Sequence, residues 1–190
     1  MVRPAEERDV AAAAEVLAAA FADYPWTRWC LPADDHAGRL RSLQELYLGH
    51  ALRHGVVLVD DAVRGVVAAM PPDTPAPSAE EQARIAALHD DRFELVLAAP
   101  VPARPDGAWD LATLGVRPDA QGLGVGAGLV AALLETLGPT ATVALDTSDD
   151  RNVRLYERFG FVVRDRVELV DGPAVHAMVR PGREVSSGAG

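Results

Sequence analysis

An α/β fold, a single domain with a mixed central β-sheet flanked by helices, follows from three features of this 190-residue sequence. The length suits one domain with a hydrophobic core of its own. Short β-rich apolar runs alternate with longer helical patterns, and the second half reads strand, loop, helix, strand, helix, strand, strand. Gly122, Gly124, Gly126 and Gly128 alternate at an expected strand-to-helix turn.

The elements follow in order. After a short extended start, residues 7–25 are alanine-rich and nearly free of helix breakers, which predicts a helix ending near Asp23 and Pro25. Residues 24–32 are expected as an aromatic loop closed by Pro32. A second helix starts near Asp34 or Asp35, carries Leu40, Leu43, Tyr47 and Ala51 on one face, and stops at Gly55. Two β-rich runs around Asp60 and Asp61 predict a hairpin. A proline-rich loop leads to a third helical stretch over residues 79–98, and another loop follows. Residues 109–116 read as a strand and residues 124–137 as an apolar helix stopped by Gly138 and Pro139. Residues 142–146 form a short apolar strand of the kind buried beneath helices. A helix opened by Asp149 or Asp150 closes at Gly160, and two final strands meet at the turn of Asp171, Gly172 and Pro173. The domain spans residues 1–180, and residues 181–190 are expected to be a mobile tail.

Composition narrows the function. A formal net charge of −10 argues against nucleic acid as a partner, because neutralising a phosphate backbone needs a basic surface. An acidic surface favours a cationic amine instead. No apolar run reaches the ~18 residues of a membrane span, and the start of the chain lacks the pattern of a signal peptide. Cys30 is the only cysteine, so no internal disulfide forms. A soluble cytoplasmic protein, a monomer or a homodimer, is the expectation. All 18 basic residues are arginine, so no lysine is available for self-acetylation.

The glycine-rich segment carries the chemistry. Glycines let the backbone approach a ligand closely and adopt positive φ. The free N–H groups of the following helix's first turn then suit a phosphate or pyrophosphate. Leu123 and Val125 are expected to anchor the turn to the core. Gly122-x-Gly124-x-x-Ala127 also fits a dinucleotide fingerprint, with Asp146 placed as its ribose-binding acid. Residues 117–121 intervene between strand and motif, however, and the chain supplies essentially one βαβ unit where a dinucleotide fold needs more.

Val116-x-Pro118-x-x-Gln121-x-x-Gly124-x-Gly126 resembles the Q/R-x-x-G-x-G/A signature of the GNAT N-acetyltransferase family. Asn152 to Phe161, reading NVRLYERFGF, resembles the same family's closing helix. The resemblance implies an acetyl-CoA-dependent enzyme without a metal, passing acetyl to an amino group of a small molecule. It assigns Leu114, Gly115 and Val116 to the pantetheine arm, and Gln121, Gly122, Gly124, Val125, Gly126 and Ala127 to the pyrophosphate. Asn152 is assigned to the pantetheine arm, and Arg154 or Arg158 to a phosphate. Four segments, AAAFADYPWTR, LQELYL, WDLATLGVRPDAQG and ALDTSDDRNVRLYERFGF, resemble the branch that acetylates the aminonucleoside antibiotic puromycin. The middle of the chain, residues 70–107, departs from that branch.

Acetyl transfer to an amine needs a proton acceptor for the ammonium, stabilisation of the thioester oxygen, and a partner for the leaving thiolate. Asn152 and Tyr156 share a helix face, and Tyr156 is the candidate for the thiolate. With reference pKa values of about 10 and 8.5, full proton transfer from a phenol is uphill by roughly 2 kcal/mol, so hydrogen-bond donation is its main expected role. A backbone N–H near Leu114, Gly115 and Val116 is the candidate for the oxygen. Asp110 and Asp146 are alternative bases, each equally readable as a polar residue at a strand end. Tyr24, Trp26 and Trp29 are candidates for stacking on an acceptor, or for sealing the core edge. His50 and His54 have helical metal-pair spacing but no third ligand, and Cys30 lacks a setting that activates a thiol. The alternatives to catalysis are a non-catalytic acyl-CoA-binding sensor on the same fold and a dinucleotide-dependent oxidoreductase.

Overall fold

In the computed structural model, which describes residues 1–183, the hairpin expected around Asp60 and Asp61 forms one wing of a seven-stranded sheet. Its strands are β2 (Val56–Asp60) and β3 (Gly65–Met70), with β1 (Val2–Pro4) on the outer edge. Asp60 builds the turn. Its carboxylate accepts the backbone N–H groups of Arg64 and Gly65 at 2.5 and 2.8 Å and meets the Arg64 guanidinium at 2.8 Å. Beyond β3 come β4 (Trp109–Val116), β5 (Val143–Thr147), β7 (Ala174–Arg180) and β6 (Val162–Glu168), in the order β1-β2-β3-β4-β5-β7-β6. Only β4 and β5 are parallel; the sheet is mixed, as the sequence predicts.

Helices cover both faces, so strands buried on two sides carry unbroken apolar runs rather than alternation. On one face, α1 (Val10–Phe21) and α3 (His36–His54) press Ala13, Leu17, Leu48 and Ala51 onto Val57, Val59, Val66 and Ala68. On the other, α6 (Val125–Leu137) inserts Leu129, Val130 and Leu133 against Val67, Leu111, Val143 and Leu145. Tyr156 and Phe161 extend that second core; Tyr156 belongs to α7 (Asp150–Glu157), which Asp149 caps by accepting Arg151 N–H at 2.7 Å.

Three local expectations are corrected. The segment read as an aromatic loop contains α2 (Pro25–Cys30): Pro25 stands at the helix start, where its missing N–H costs nothing. The third helical stretch splits into α4 (Ala79–His89) and α5 (Phe93–Leu97) at Asp90, which has φ 50°. Arg39, far away in sequence, donates to the carbonyls of Ala87 and Leu88 at 3.3 and 3.1 Å and so ends the helix there. On α3, Leu40, Leu43 and Ala51 are buried, whereas Tyr47 lies at the rim.

At the C-terminal end, Gly182 and Arg183 N–H bond Thr142 Oγ1 at 3.2 Å and Pro139 O at 2.8 Å. The rest of the expected tail, 184–190, lies outside the described residues. Among the described residues no helix is long and apolar enough to cross a membrane.

Candidate active site

The two edges of β4 are treated differently. Toward β3 it pairs from Met70↔Asp110 to Gly65↔Val116, with a bulge at Ala112 where the partners step from Leu111 to Thr113. Toward β5 it pairs only at Trp109↔Val143 and Asp110↔Ala144. Past that point the strands part, and the edge of β4 facing β5 has no strand partner. Backbone donors and acceptors there remain open to another occupant. A cleft of about 1100 Å³ fills the gap, with Leu114, Gly115 and Val116 on one wall.

The glycine loop closes one end of this cleft. The chain leaves β4 through a 3₁₀ turn at Pro118–Ala120, and Gln121 Nε2 reaches back to Val116 O at 3.1 Å. Gly122 and Gly124 follow with φ of 77° and 82°, a region that favours glycine. Gly124 occupies the cap position of α6 and has no side chain to satisfy the first-turn N–H groups. Those donors, with the positive end of the helix dipole, form a place for an anion. Gln121, Gly122, Gly124, Val125, Gly126 and Ala127 all line the cleft. Val125 packs toward the core as expected. Leu123 does not: it is 69 % exposed, so Val125 alone anchors the turn.

On the opposite wall stand Asn152 and Leu155 of α7 and Arg158, the residue that caps its C-terminal end. Arg154, the alternative phosphate ligand, is exposed and off the cleft. Tyr156 lies beneath the wall, 5 % exposed, its ring 5.5 Å from Phe161. Burial and the neighbouring Tyr24 phenol hold its pKa well above the ordinary phenol range. Raising it further makes full proton transfer to a thiolate more uphill, which leaves hydrogen-bond donation as the role that suits Tyr156.

Asp110 and Asp146 share the sheet face opposite α6, just where β4 and β5 separate. Arg104, from the loop between α5 and β4, joins them. Its Nη2 bonds Asp146 Oδ2 at 3.1 Å, and its Nε stands 3.0 Å from Asp110 Oδ1, a charge contact without hydrogen-bond alignment. Burial pushes both carboxyls above their ordinary pKa, and the guanidinium partly offsets it. Asp146, Arg104, Arg164 and Asp165 line a separate cavity of about 260 Å³. Both candidate bases are thus engaged by one cation, outside the main cleft.

The acetyltransferase (GNAT) domain family matches residues 79–163. That match covers a little under half of the chain, and the fold around it is the one that GNAT acetyltransferases share. Among solved structures, "histone acetyltransferase HPA2 and related acetyltransferase" from Corynebacterium glutamicum is similar over 98 % of both chains, at 26 % identity and a TM-score of 0.78. Arylalkylamine N-acetyltransferase 2 from Aedes aegypti matches at TM-score 0.69 and 14 % identity, covering 96 % of this chain and 99 % of its own. The NatC complex bound to Gag peptide and CoA matches at TM-score 0.52 and 15 % identity, covering 96 % and 98 %. By domain and fold the protein is an N-acetyltransferase.

Within the GNAT domain's surroundings, the aromatic trio divides. Trp29 is 7 % exposed and donates Nε1–H to Val170 O at 3.2 Å, inside a cluster with Leu31, Leu40 and Leu43. Trp26 packs beside it at a tilt of 47°, with ring centroids 5.3 Å apart. Both seal the core edge, and only Tyr24 lines the cleft. The sequence reading missed Thr147 and Ser148, which bond Tyr24, and Arg104, whose role depends on contacts 6 and 42 residues away. It also missed His176, which meets Asp150 at 3.2 Å on the cleft rim beside Arg166. The polar run Thr147 to Asp149, directly before the helix carrying Tyr156, was the available signal for the first two. Among the described residues no group of metal-ligating side chains gathers.

Proposed function

We propose that the protein transfers acetyl from acetyl-CoA directly to an amino group of a small-molecule acceptor, and that the large cleft is its acetyl-CoA site. The observation that carries this is the uncapped start of α6, behind two positive-φ glycines, at the end of a β-strand edge left without a partner. The residues fit the molecule's chemistry. Free first-turn amides and Arg158 suit the pyrophosphate and phosphate. The open backbone edge at Leu114, Gly115 and Val116 and the Asn152 amide suit a pantetheine chain. Acetyl-CoA, when bound, supplies an activated thioester.

The protein's own residues take the remaining tasks. The unpaired edge of β4 offers N–H groups where negative charge builds on the thioester oxygen. Tyr156 offers its phenol O–H to the leaving sulfur from a dry position. Asp110 and Asp146, on the sheet face beside the opening between β4 and β5, are the candidates to accept the ammonium proton, directly or through water. An acceptor of the aminonucleoside type, such as puromycin, is the reading favoured by the four resembling segments. Support is weakest over residues 70–107, which include the Arg104 loop.

Free-thiol release from acetyl-CoA by purified protein, with and without puromycin and with the product mass checked, tests this directly. Puromycin-dependent release with an acetylated product supports the whole reading. Release only with other amines retires puromycin. Acetyl-CoA binding without turnover on any amine converts the protein to a sensor. Failure to bind acetyl-CoA sinks the assignment of the cleft.

A further inference from the structure

Tyr24 reads from sequence as a stacking platform for an acceptor, yet its phenol is tied to the far arm of the cleft. The oxygen accepts Ser148 N–H at 2.7 Å and lies 3.0 Å from Thr147 Oγ1. Both partners stand at the end of β5, beyond the last residue that pairs with β4. The near arm is held from the other side. Gly115 of β4 packs so closely on α1 that a Cβ there would meet Leu17 Cδ2 at 2.6 Å and Ala20 Cβ at 3.3 Å.

The corner between α1 and Tyr24 is rigidly built. Tyr24 N–H bonds Phe21 O at 3.1 Å, and the two rings lie 5.2 Å apart. The buried Thr27 hydroxyl sits 2.5 and 2.9 Å from the carbonyls of Phe21 and Tyr24. One continuous piece of chain, from Leu17 to Tyr24, therefore spans two sheet arms that share no hydrogen bonds of their own at this level.

We propose that Tyr24 is a positioning residue: a hydrogen-bonded strut that fixes the width of the cleft and the pose of Asn152. Thr147 Oγ1, the phenol's neighbour, also receives Asn152 Nδ2 at 3.4 Å. With that amide N–H engaged, Asn152 Oδ1 is left to accept an N–H from a bound ligand, and the two amide N–H groups of a pantetheine chain are such donors. This last step rests on the acetyl-CoA reading of the cleft; the strut itself does not.

Tyr24→Phe separates the two roles, because it keeps the ring and removes the oxygen. Acetyl-CoA binding by calorimetry is expected to weaken about five- to tenfold, the scale of one lost hydrogen bond to a half-buried N–H. The KM for puromycin should move less than about twofold. Combining Tyr24→Phe with Asn152→Ala should weaken binding by less than the product of the single effects, since both act through Thr147. Amide exchange at Ser148 should accelerate while β2 and β3 amides stay protected. Wild-type acetyl-CoA affinity in Tyr24→Phe, with a raised puromycin KM only in Tyr24→Leu, would overturn the proposal in favour of stacking. Unchanged Ser148 exchange overturns the strut even if the wild-type protein proves not to bind acetyl-CoA, so its failure is distinct from failure of the cofactor reading.

Discussion

The edge of β4 that meets β3 and the edge that faces β5 are built from the same eight residues, yet one is structure and the other is site. Toward β3 the ladder runs to the end of the strand, interrupted only by the Ala112 bulge. Toward β5 it stops after two residue pairs. A parallel pair that opens early leaves a row of backbone groups without partners, and such groups are costly to bury unmatched. The GNAT fold tolerates the gap because other contacts hold both arms. β5 remains paired with β7 as far as Thr147↔His176, and α1 buttresses β4. The difference teaches that binding capacity here comes from withheld pairing, while stability is supplied by the opposite edge.

Perturbations on the two sides should therefore separate. The largest effect is expected from Tyr156→Phe beside the open edge: thiol release falls about 100-fold, while acetyl-CoA affinity stays within about twofold, measured by single-turnover kinetics and calorimetry. Normal turnover in that variant removes Tyr156 from the mechanism. Gly124→Val forces a branched side chain into φ near 82° at the uncapped helix start. Acetyl-CoA should bind roughly 10- to 100-fold more weakly, while the strained φ lowers the melting temperature by only a few degrees. On the closed edge, Val67→Ala empties a fully buried site between β3 and α6. It should lower unfolding free energy by about 2 kcal/mol in urea melts yet leave acetyl-CoA affinity intact in the folded fraction. Were Val67→Ala to weaken binding as much as Gly124→Val, the separation of the two edges would be wrong.

The smallest effect concerns pH. Burial raises the pKa of Asp110 and Asp146, so each holds its proton more firmly in the fold than in the unfolded chain. From the ordinary carboxylate range, about 4, up to the raised values, the native state carries more protons, and stability falls as pH rises. Asp110→Asn should flatten that decline in melting temperature by a few degrees at most. Arg104→Gln should steepen it by removing the offsetting cation. An identical pH profile in both variants would mean that the three side chains do not interact.

What the sequence revealed follows the same division. The cofactor wall was legible because its signals are local: glycines where φ turns positive, a strand pattern before them, a capping Asp149 after β5. Even there Leu123 misled: between Gly122 and Gly124, both at positive φ, it points to solvent. The other side depends on distant partners. Arg39 ends α4 from about 50 residues away, Trp29 finds its acceptor at Val170, and Arg104 reaches Asp146. No periodicity encodes such meetings. Pro25 shows a subtler gap: the first helix does stop before it, at Phe21, but the same proline also starts α2.

The Arg104 loop has a practical consequence. Residues 99–107 carry few hydrogen bonds of their own, and one guanidinium links them to the sheet's two carboxylates. Selection can rewrite such a segment cheaply while the cofactor wall stays unchanged. Randomising residues 99–103 and 105–107 around a retained Arg104 is accordingly expected to leave both acetyl-CoA affinity and melting temperature nearly unchanged.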